Sequence, residues 1–384
     1  MAAPVGVWHR LPVIIRFTLC VGVLATAVHA QPVPGVATTV LKPPIAGAPP
    51  RPENEALAED EALAGTDGSF AAWLADFRTA ELAKGVAPAV LDVVLAGLRY
   101  SPRVVELDRA QPNSAARPTT FASYAERHID GVLIARGRAL HAALESDLTH
   151  DEATTGVPGA VVLGIWGMES SYGVVTGGFD VPRSLATLAF DGRRRDLFTS
   201  ELAAVVAIVA RGVARDRLTG SWAGAMGQAQ FLPSTYLAFA RDGDGDGRAD
   251  IWTSRPDIAL SIATKLAADG WRAGTGWGVE VIVPAELDRS RVRNLVAPTK
   301  CARVFEKHSR WLSVAEWRAL GLTTAAPGGT TGPWPADTTL ATLVEPDGAG
   351  GRAFLTFGNY RALLGYNCSN LYALSVGLLS DALR

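Results

Sequence analysis

The sequence predicts a mainly helical α+β fold, on three observations. Apolar residues recur at helical spacing over most of the chain beyond residue 69, and strand-like patterns are few and short. The chain has 384 residues, 48% of them hydrophobic and 19% charged, enough to bury one large core or two small ones. The first helix is expected to open at Ser69, an N-cap ahead of Phe70, Trp73, Leu74 and Phe77. Further helical patterns cover 88–98, 121–146, 158–170, 199–215, 233–241, 256–269, 313–320 and 370–383. Val279 to Val283 is the clearest strand, with a pair expected near 340–357. The loop-rich segment 285–360 predicts a smaller lobe packed on the core, so the folded domain is expected to span 69–384.

Ahead of that domain, residues 1–30 read as a secretory signal peptide. Arg10 and Arg16 supply positive charge, Phe17 to Val28 is apolar, and Val28-His29-Ala30 offers small residues for cleavage before Gln31. The run is short for a membrane span, which leaves an uncleaved anchor as the alternative. Residues 31–68, rich in proline and then in alanine and glutamate, read as a disordered linker. Removing residues 1–30 takes away two arginines and no acid, moving the net charge from −2 to −4. That balance argues against nucleic acid or an anionic membrane surface as the main partner. A periplasmic location follows. There the two remaining cysteines, Cys301 and Cys368, are expected to form a disulfide, with two buried thiols as the alternative. No Cys-x-x-Cys or Cys/His cluster suggests zinc or redox chemistry, and no metalloprotease or serine-hydrolase motif occurs.

The stretch Gly164-Ile165-Trp166-Gly167-Met168-Glu169-Ser170-Ser171-Tyr172-Gly173 carries the chemistry. Pro158 suits a first helical turn, Val161, Val162, Ile165, Trp166 and Met168 give an apolar face, and Gly173 suits a helix stop. Glu169 then lies near the last turn, at the negative end of the helix dipole and beside Trp166. Both features raise a carboxyl pKa, as a general acid for a glycosidic oxygen requires. A second block, Gly220 to Tyr236, mixes glycines with Ser221 and Gln230. Glycines let a polysaccharide approach the backbone, and short polar groups suit hydroxyls and N-acetyl groups. Phe231 reads equally as cleft lining or as core below Pro233. A third block, Tyr366-Asn367-Cys368-Ser369-Asn370-Leu371-Tyr372-Ala373, enters the last helix, where Asn367 could instead be a plain cap.

These three blocks, in this order and at similar spacing, resemble the lytic murein transglycosylases, in particular the family typified by membrane-bound lytic transglycosylase B. The resemblance runs from about Phe70 to the end. It implies a lysozyme-like core with Glu169 as the single catalytic carboxylate. It implies a substrate cleft lined by Ser221, Gln230, Tyr366, Asn367 and Tyr372, with Tyr124 from an earlier helix. The implied reaction cuts the MurNAc-β-1,4-GlcNAc bond of peptidoglycan and leaves 1,6-anhydroMurNAc ends, with no cofactor for catalysis. Asp180, Asp191 and Asp196 are the carboxylates from which a hydrolytic muramidase of the same fold would draw a second one. A non-catalytic peptidoglycan-binding protein is the other alternative. Peptidoglycan strands are the expected partner, other cell-wall enzymes are candidate partners, and a monomer is expected. Phe17-Thr18-Leu19 is a poor lipobox before Cys20, which departs from the family's lipoproteins.

Asp242-Gly243-Asp244-Gly245-Asp246-Gly247-Arg248 matches the opening of an EF-hand loop, with carboxylates at positions 1, 3 and 5, glycine at 6 and Arg248 at 7. Position 12 is Thr253, so the bidentate acid is missing there. The family has a variant closed by a later Asp, for which Asp257 is the candidate. A structural Ca2+ that braces the loop is the expectation, and a solvated acidic turn is the alternative.

Overall fold

The computed structural model describes residues 53–110, 120–296, 301–325 and 334–384. The signal peptide expected over 1–30, and residues 31–52 of the expected linker, lie outside them. The Glu169 stretch forms the helix Gly159–Ser170, and ten of its twelve residues are buried. Its apolar pattern therefore runs nearly all the way round rather than along one stripe. It packs against Asn370–Ala382, Arg255–Ala268, Gly131–Ala143 and Glu145–Thr155. Gly164 allows the last helix to come close, because a Cβ there would stand 3.0 Å from the Val376 carbonyl.

Beyond this centre, Val181–Asp191 and Arg195–Ala210 pair closely and take Pro88–Leu95, Pro102–Arg109 and Pro233–Phe239 against their outer sides. The first helix joins them through Phe70, whose ring meets Phe190 at 5.5 Å and Tyr100 at 6.0 Å. One apolar cluster runs from Phe70 to Leu383, and a second holds Val279, Val281, Leu312, Val314, Trp317 and Leu355.

The second cluster belongs to a lobe built on a five-stranded antiparallel sheet, in the spatial order Leu312–Ser313, Leu340–Val344, Ala353–Thr356, Gly278–Ile282, Thr323–Thr324. Val281 pairs with Ala353, and Val344 with Phe354. Buried His308 fastens this lobe to the helices. Its Nδ1 lies 3.0 Å from Thr342 Oγ1 on the sheet and its Nε2 2.9 Å from Asn370 Oδ1. Burial and the Arg361 charge push its pKa down to about 3, so the ring is neutral. The disulfide Cys301–Cys368, with Cα atoms 5.7 Å apart, is a second fastening and fulfils the cysteine expectation.

Several boundaries differ from the sequence reading: the helix expected at 199–215 is Arg195–Ala210, and Pro102–Arg109, Val181–Asp191 and Tyr360–Tyr366 are helices it did not foresee. The first helix runs Glu53–Ala83, so Ser69 lies inside it and residues 53–68 of the expected linker are helical. Glu53 to Ala64 is almost wholly Ala, Glu and Leu, residues of high helix propensity. The expected helix 121–146 is broken into Phe121–His128, Gly131–Ala143 and Glu145–Thr155: Ile129 is extended and Asp130 caps a new start by accepting from Leu133 N at 2.7 Å, and Leu144 leaves the helical conformation at φ −115°. The lobe opens at Gly278 rather than at 285. Among the described residues no helix is long and apolar enough to cross a membrane.

Candidate active site

Glu169 sits in the last turn of its helix, as the sequence predicts. The chain then breaks sharply. Ser171, Tyr172 and Gly173 take φ of 50°, 58° and 85°, three left-handed residues in a row, of which two carry side chains. Such backbone costs on the order of 1–3 kcal/mol per residue and persists only where its surroundings impose it. Ser170 Oγ accepts from Gly173 N at 3.0 Å and closes the turn. Gly173 must be glycine twice over, since its φ is positive and a Cβ would stand 2.3 Å from the Gln228 amide oxygen.

The Glu169 carboxyl faces a ring of hydroxyls. Tyr372 donates to its Oε1 at 2.5 Å from the first turn of Asn370–Ala382. Tyr366 and Tyr124 are close enough for Glu169 to raise their own pKa values, on top of their burial. Lys265 is the cation whose charge acts on Glu169. It pairs with Asp269 at 2.6 Å, and its Nζ lies 5.1 Å from the Tyr366 ring centroid. Burial pushes the Glu169 pKa up to about 7, against the lowering pull of the Tyr372 hydroxyl and of Lys265. Glu169 is nonetheless partly exposed, so it is an acid that a ligand can reach. Among the described residues no carboxylate figures in its ionisation. Asp180 caps its own helix and pairs with Arg215, and Asp191 pairs with Arg109.

The other predicted residues divide. Tyr366 donates to the Ala229 carbonyl at 2.7 Å, which ties the third block to the second. Gln230, with φ of 50°, donates to the Thr176 and Gly227 carbonyls at 3.1 and 2.8 Å. Asn367 is 7% exposed, and its Oδ1 has no hydrogen-bond partner among the described residues. Ser369, not Asn367, caps the last helix by accepting from Tyr372 N. Tyr124 is buried and stacks on His128 at 4.1 Å. Ser221 is mostly buried, and its Oγ accepts from Ala225 N at 3.0 Å, shaping its own turn. Phe231 is 1% exposed with its ring 6.0 Å from that of Tyr366, so of its two readings core is the outcome. Pro233 starts a helix that packs on Arg195–Ala210, and this carries Phe231 inward.

Sequence reasoning missed Lys265 and Gln228. Lys265 left a signal, a cation on the buried face of a helix whose other buried residues include Ile258, Ile262 and Leu266. Gln228 looked like any polar residue in a glycine-rich turn.

In the acidic loop, oxygens of Asp242, Asp244 and Asp257 all lie within 4.8 Å of one another. Asp257 thus lies beside the first two carboxylates of the loop. It is fully buried and accepts from Gly243 N at 2.8 Å and Asp250 N at 2.6 Å, and burial raises its pKa. Asp246 does not join the convergent set. Its carboxylate turns away to accept from Arg248 N at 2.8 Å, and the Arg248 side chain is exposed. A buried carboxylate facing two others suits a hard divalent cation.

The transglycosylase SLT domain model matches residues 69–381. The membrane-bound lytic murein transglycosylase B of Escherichia coli K12 is 30% identical over 285 residues, which are 72% of either chain. SltB3 of Pseudomonas aeruginosa, solved in complex with NAG-NAM-pentapeptide, is 39% identical with a TM-score of 0.73, over 82% of this chain and 79% of its own. The Escherichia coli lytic transglycosylase Slt35, solved in complex with calcium, is 27% identical with a TM-score of 0.63, over 81% and 92%.

Proposed function

The chain belongs to the transglycosylase SLT domain family and is a peptidoglycan lytic transglycosylase, and from that footing we propose that Glu169 is its single general acid and base. One observation carries the assignment. Glu169 is a reachable carboxyl whose pKa is pushed up to about 7, with no carboxylate among the groups that act on it. In its acid form it protonates the oxygen between MurNAc and GlcNAc, and the C1–O bond breaks. The C6 hydroxyl of the same MurNAc forms the new bond to C1 and gives its proton to the Glu169 carboxylate. The acid is restored, a 1,6-anhydro ring is left, and no water is consumed.

The surrounding residues take supporting roles. Tyr372 holds one carboxylate oxygen, so the other is left for the proton. Asn367 Oδ1 offers a buried acceptor to a sugar N–H or O–H, and Tyr366, Tyr124 and Gln230 line the approach. Ser221 shapes the glycine-rich wall. We place the enzyme in the periplasm, acting on the glycan strands there.

Tyr372→Phe tests this arrangement. Without the phenol the carboxylate form loses a hydrogen bond, so the Glu169 pKa rises further. The expected result is a fall in kcat of about 10-fold, with the alkaline limb of the pH profile moved upward. An unmoved limb in folded protein would count against Glu169 as the titrating acid.

We also propose that Asp242, Asp244 and Asp257 hold a calcium ion, which the calcium complex of the Slt35 relative supports. The ion would relieve repulsion among these carboxylates and brace the loop, without entering the chemistry. Calcium at about 100 times its Kd should raise the melting temperature by roughly 4 °C, more than magnesium does. Asp244→Asn should remove most of that rise. A chelator-treated protein whose Tm ignores calcium would rule the site out.

A further inference from the structure

Gln228 joins the Glu169 helix to the chain that leaves the acidic loop, and all four of its polar atoms are used there. Its Oε1 accepts from Trp166 Nε1 at 3.0 Å, one turn before Glu169. Its Nε2 donates to the Trp252 carbonyl at 2.8 Å, and its backbone N to the Ile251 carbonyl at 2.8 Å. Its own carbonyl accepts from Ser170 Oγ at 2.7 Å, the residue after Glu169. The same amide fills the space beside Gly173, where the left-handed turn ends. The residues on both sides of Glu169 are thus held by one residue that makes no hydrogen bond to Glu169 itself. Behind the junction lies a cavity of about 460 Å³, lined by Trp166, Tyr172, Gln228 and Trp252 but not by Glu169.

We propose that Gln228 is a positioning residue for the reaction, which closes the last turn of the Glu169 helix against this cavity and so keeps Glu169 dry and aimed at the cleft. The inference rests on Glu169 being the general acid and base. Its physical content is simple. A turn with three left-handed residues relaxes unless it is held, and the amide packed beside Gly173 and Ser170 Oγ help to hold it from within, while Arg136 donates to the Ser171 carbonyl at 3.2 Å from outside. Trp166 is 1% exposed and forms part of the cavity wall. If its indole N–H loses its acceptor, the wall loosens and water gains a path to the last turn. Burial is the main cause of the raised Glu169 pKa, so admitted water lowers it. A misaimed carboxyl also slows proton transfer without changing how the glycan is held.

The test is Gln228→Leu, which keeps bulk and removes the side-chain polar atoms, with Ser170→Ala as a milder cut in the same junction. Both are assayed on soluble glycan oligomers across pH. The expected result is a kcat lowered by about 10-fold or more at nearly unchanged KM. The alkaline limb should move down by about half a pH unit or more. Tyr372, Tyr366, Tyr124 and Lys265, the groups that face Glu169, are untouched by either change, so the limb reports solvation. A structural role alone would lower the melting temperature and the folded fraction and leave the limb where it was. Folded Ser170→Ala or Gln228→Leu protein with a native limb and kcat overturns the inference. Glu169→Gln in the same assay separates the two ideas. If it is inactive while the junction variants behave as native, only the Gln228 role fails; if it stays active, the acid assignment fails.

Discussion

Glu169→Gln should leave a folded protein whose activity on peptidoglycan is lower by about 100-fold or more, the usual worth of general acid catalysis. The amide keeps the size of the side chain and can still accept from Tyr372, but it has no proton to give. The same change should raise the melting temperature at pH 8. The folded pKa of Glu169 is raised from 4.5 to about 7, so the native state binds more protons than the unfolded chain between those values. Wild-type stability therefore falls as pH climbs through that window, and the full penalty is present above it. The amide of the variant has nothing to ionise. The two melting curves should converge below about pH 4.5 and separate towards pH 8. Lost activity with an unchanged pH dependence of Tm would mean that Glu169 is not the buried titrating group described here.

The second large effect is on stability. Cys301 and Cys368 close a loop with a sequence separation of 67, which contains most of the sheet lobe. In the chain-entropy account a bridge of that span stabilises by about 4 kcal/mol. Replacing both cysteines by serine should lower the melting temperature by roughly 6 °C. Cleavage at about 20 °C, well below the mesophile melting range, should persist, because Tyr366 and Tyr372 keep their own hydrogen bonds to the second block and to Glu169. A Tm within about 2 °C of the native value would show that the His308 network alone fastens the lobe.

How much of this could be read from the chain varied with the kind of force involved. The Glu169 helix was legible to within a residue, because burial on all sides makes its apolar run unmistakable and the glycine that ends it is required by space as well as by φ. Asp257 was legible as a candidate partner of the acidic loop, and the structure adds its position beside Asp242 and Asp244. Asp246 misled because spacing counts carboxylates without showing which way a turn points them. The break at Ile129–Asp130 was hidden because the apolar pattern carries on across it. The outer strands of the lobe are two residues long, too short for an alternating pattern to register. Ser69 failed as a helix start because the preceding alanine- and glutamate-rich turns extend the helix upstream of any cap. Gln228 was illegible for another reason: its role lies in hydrogen bonds to Trp166, Trp252 and Ser170, whose proximity only the fold creates.

The central claim is that Glu169 acts without a second carboxylate and that the sugar's own C6 hydroxyl attacks C1. Digestion of purified sacculi in ¹⁸O-enriched water, followed by mass spectrometry of the released glycans, tests it most directly. The account predicts 1,6-anhydroMurNAc ends, each lighter than a reducing end by one water and free of ¹⁸O. Reducing MurNAc ends that carry ¹⁸O would contradict it, since they require water as the nucleophile and a second group to activate it.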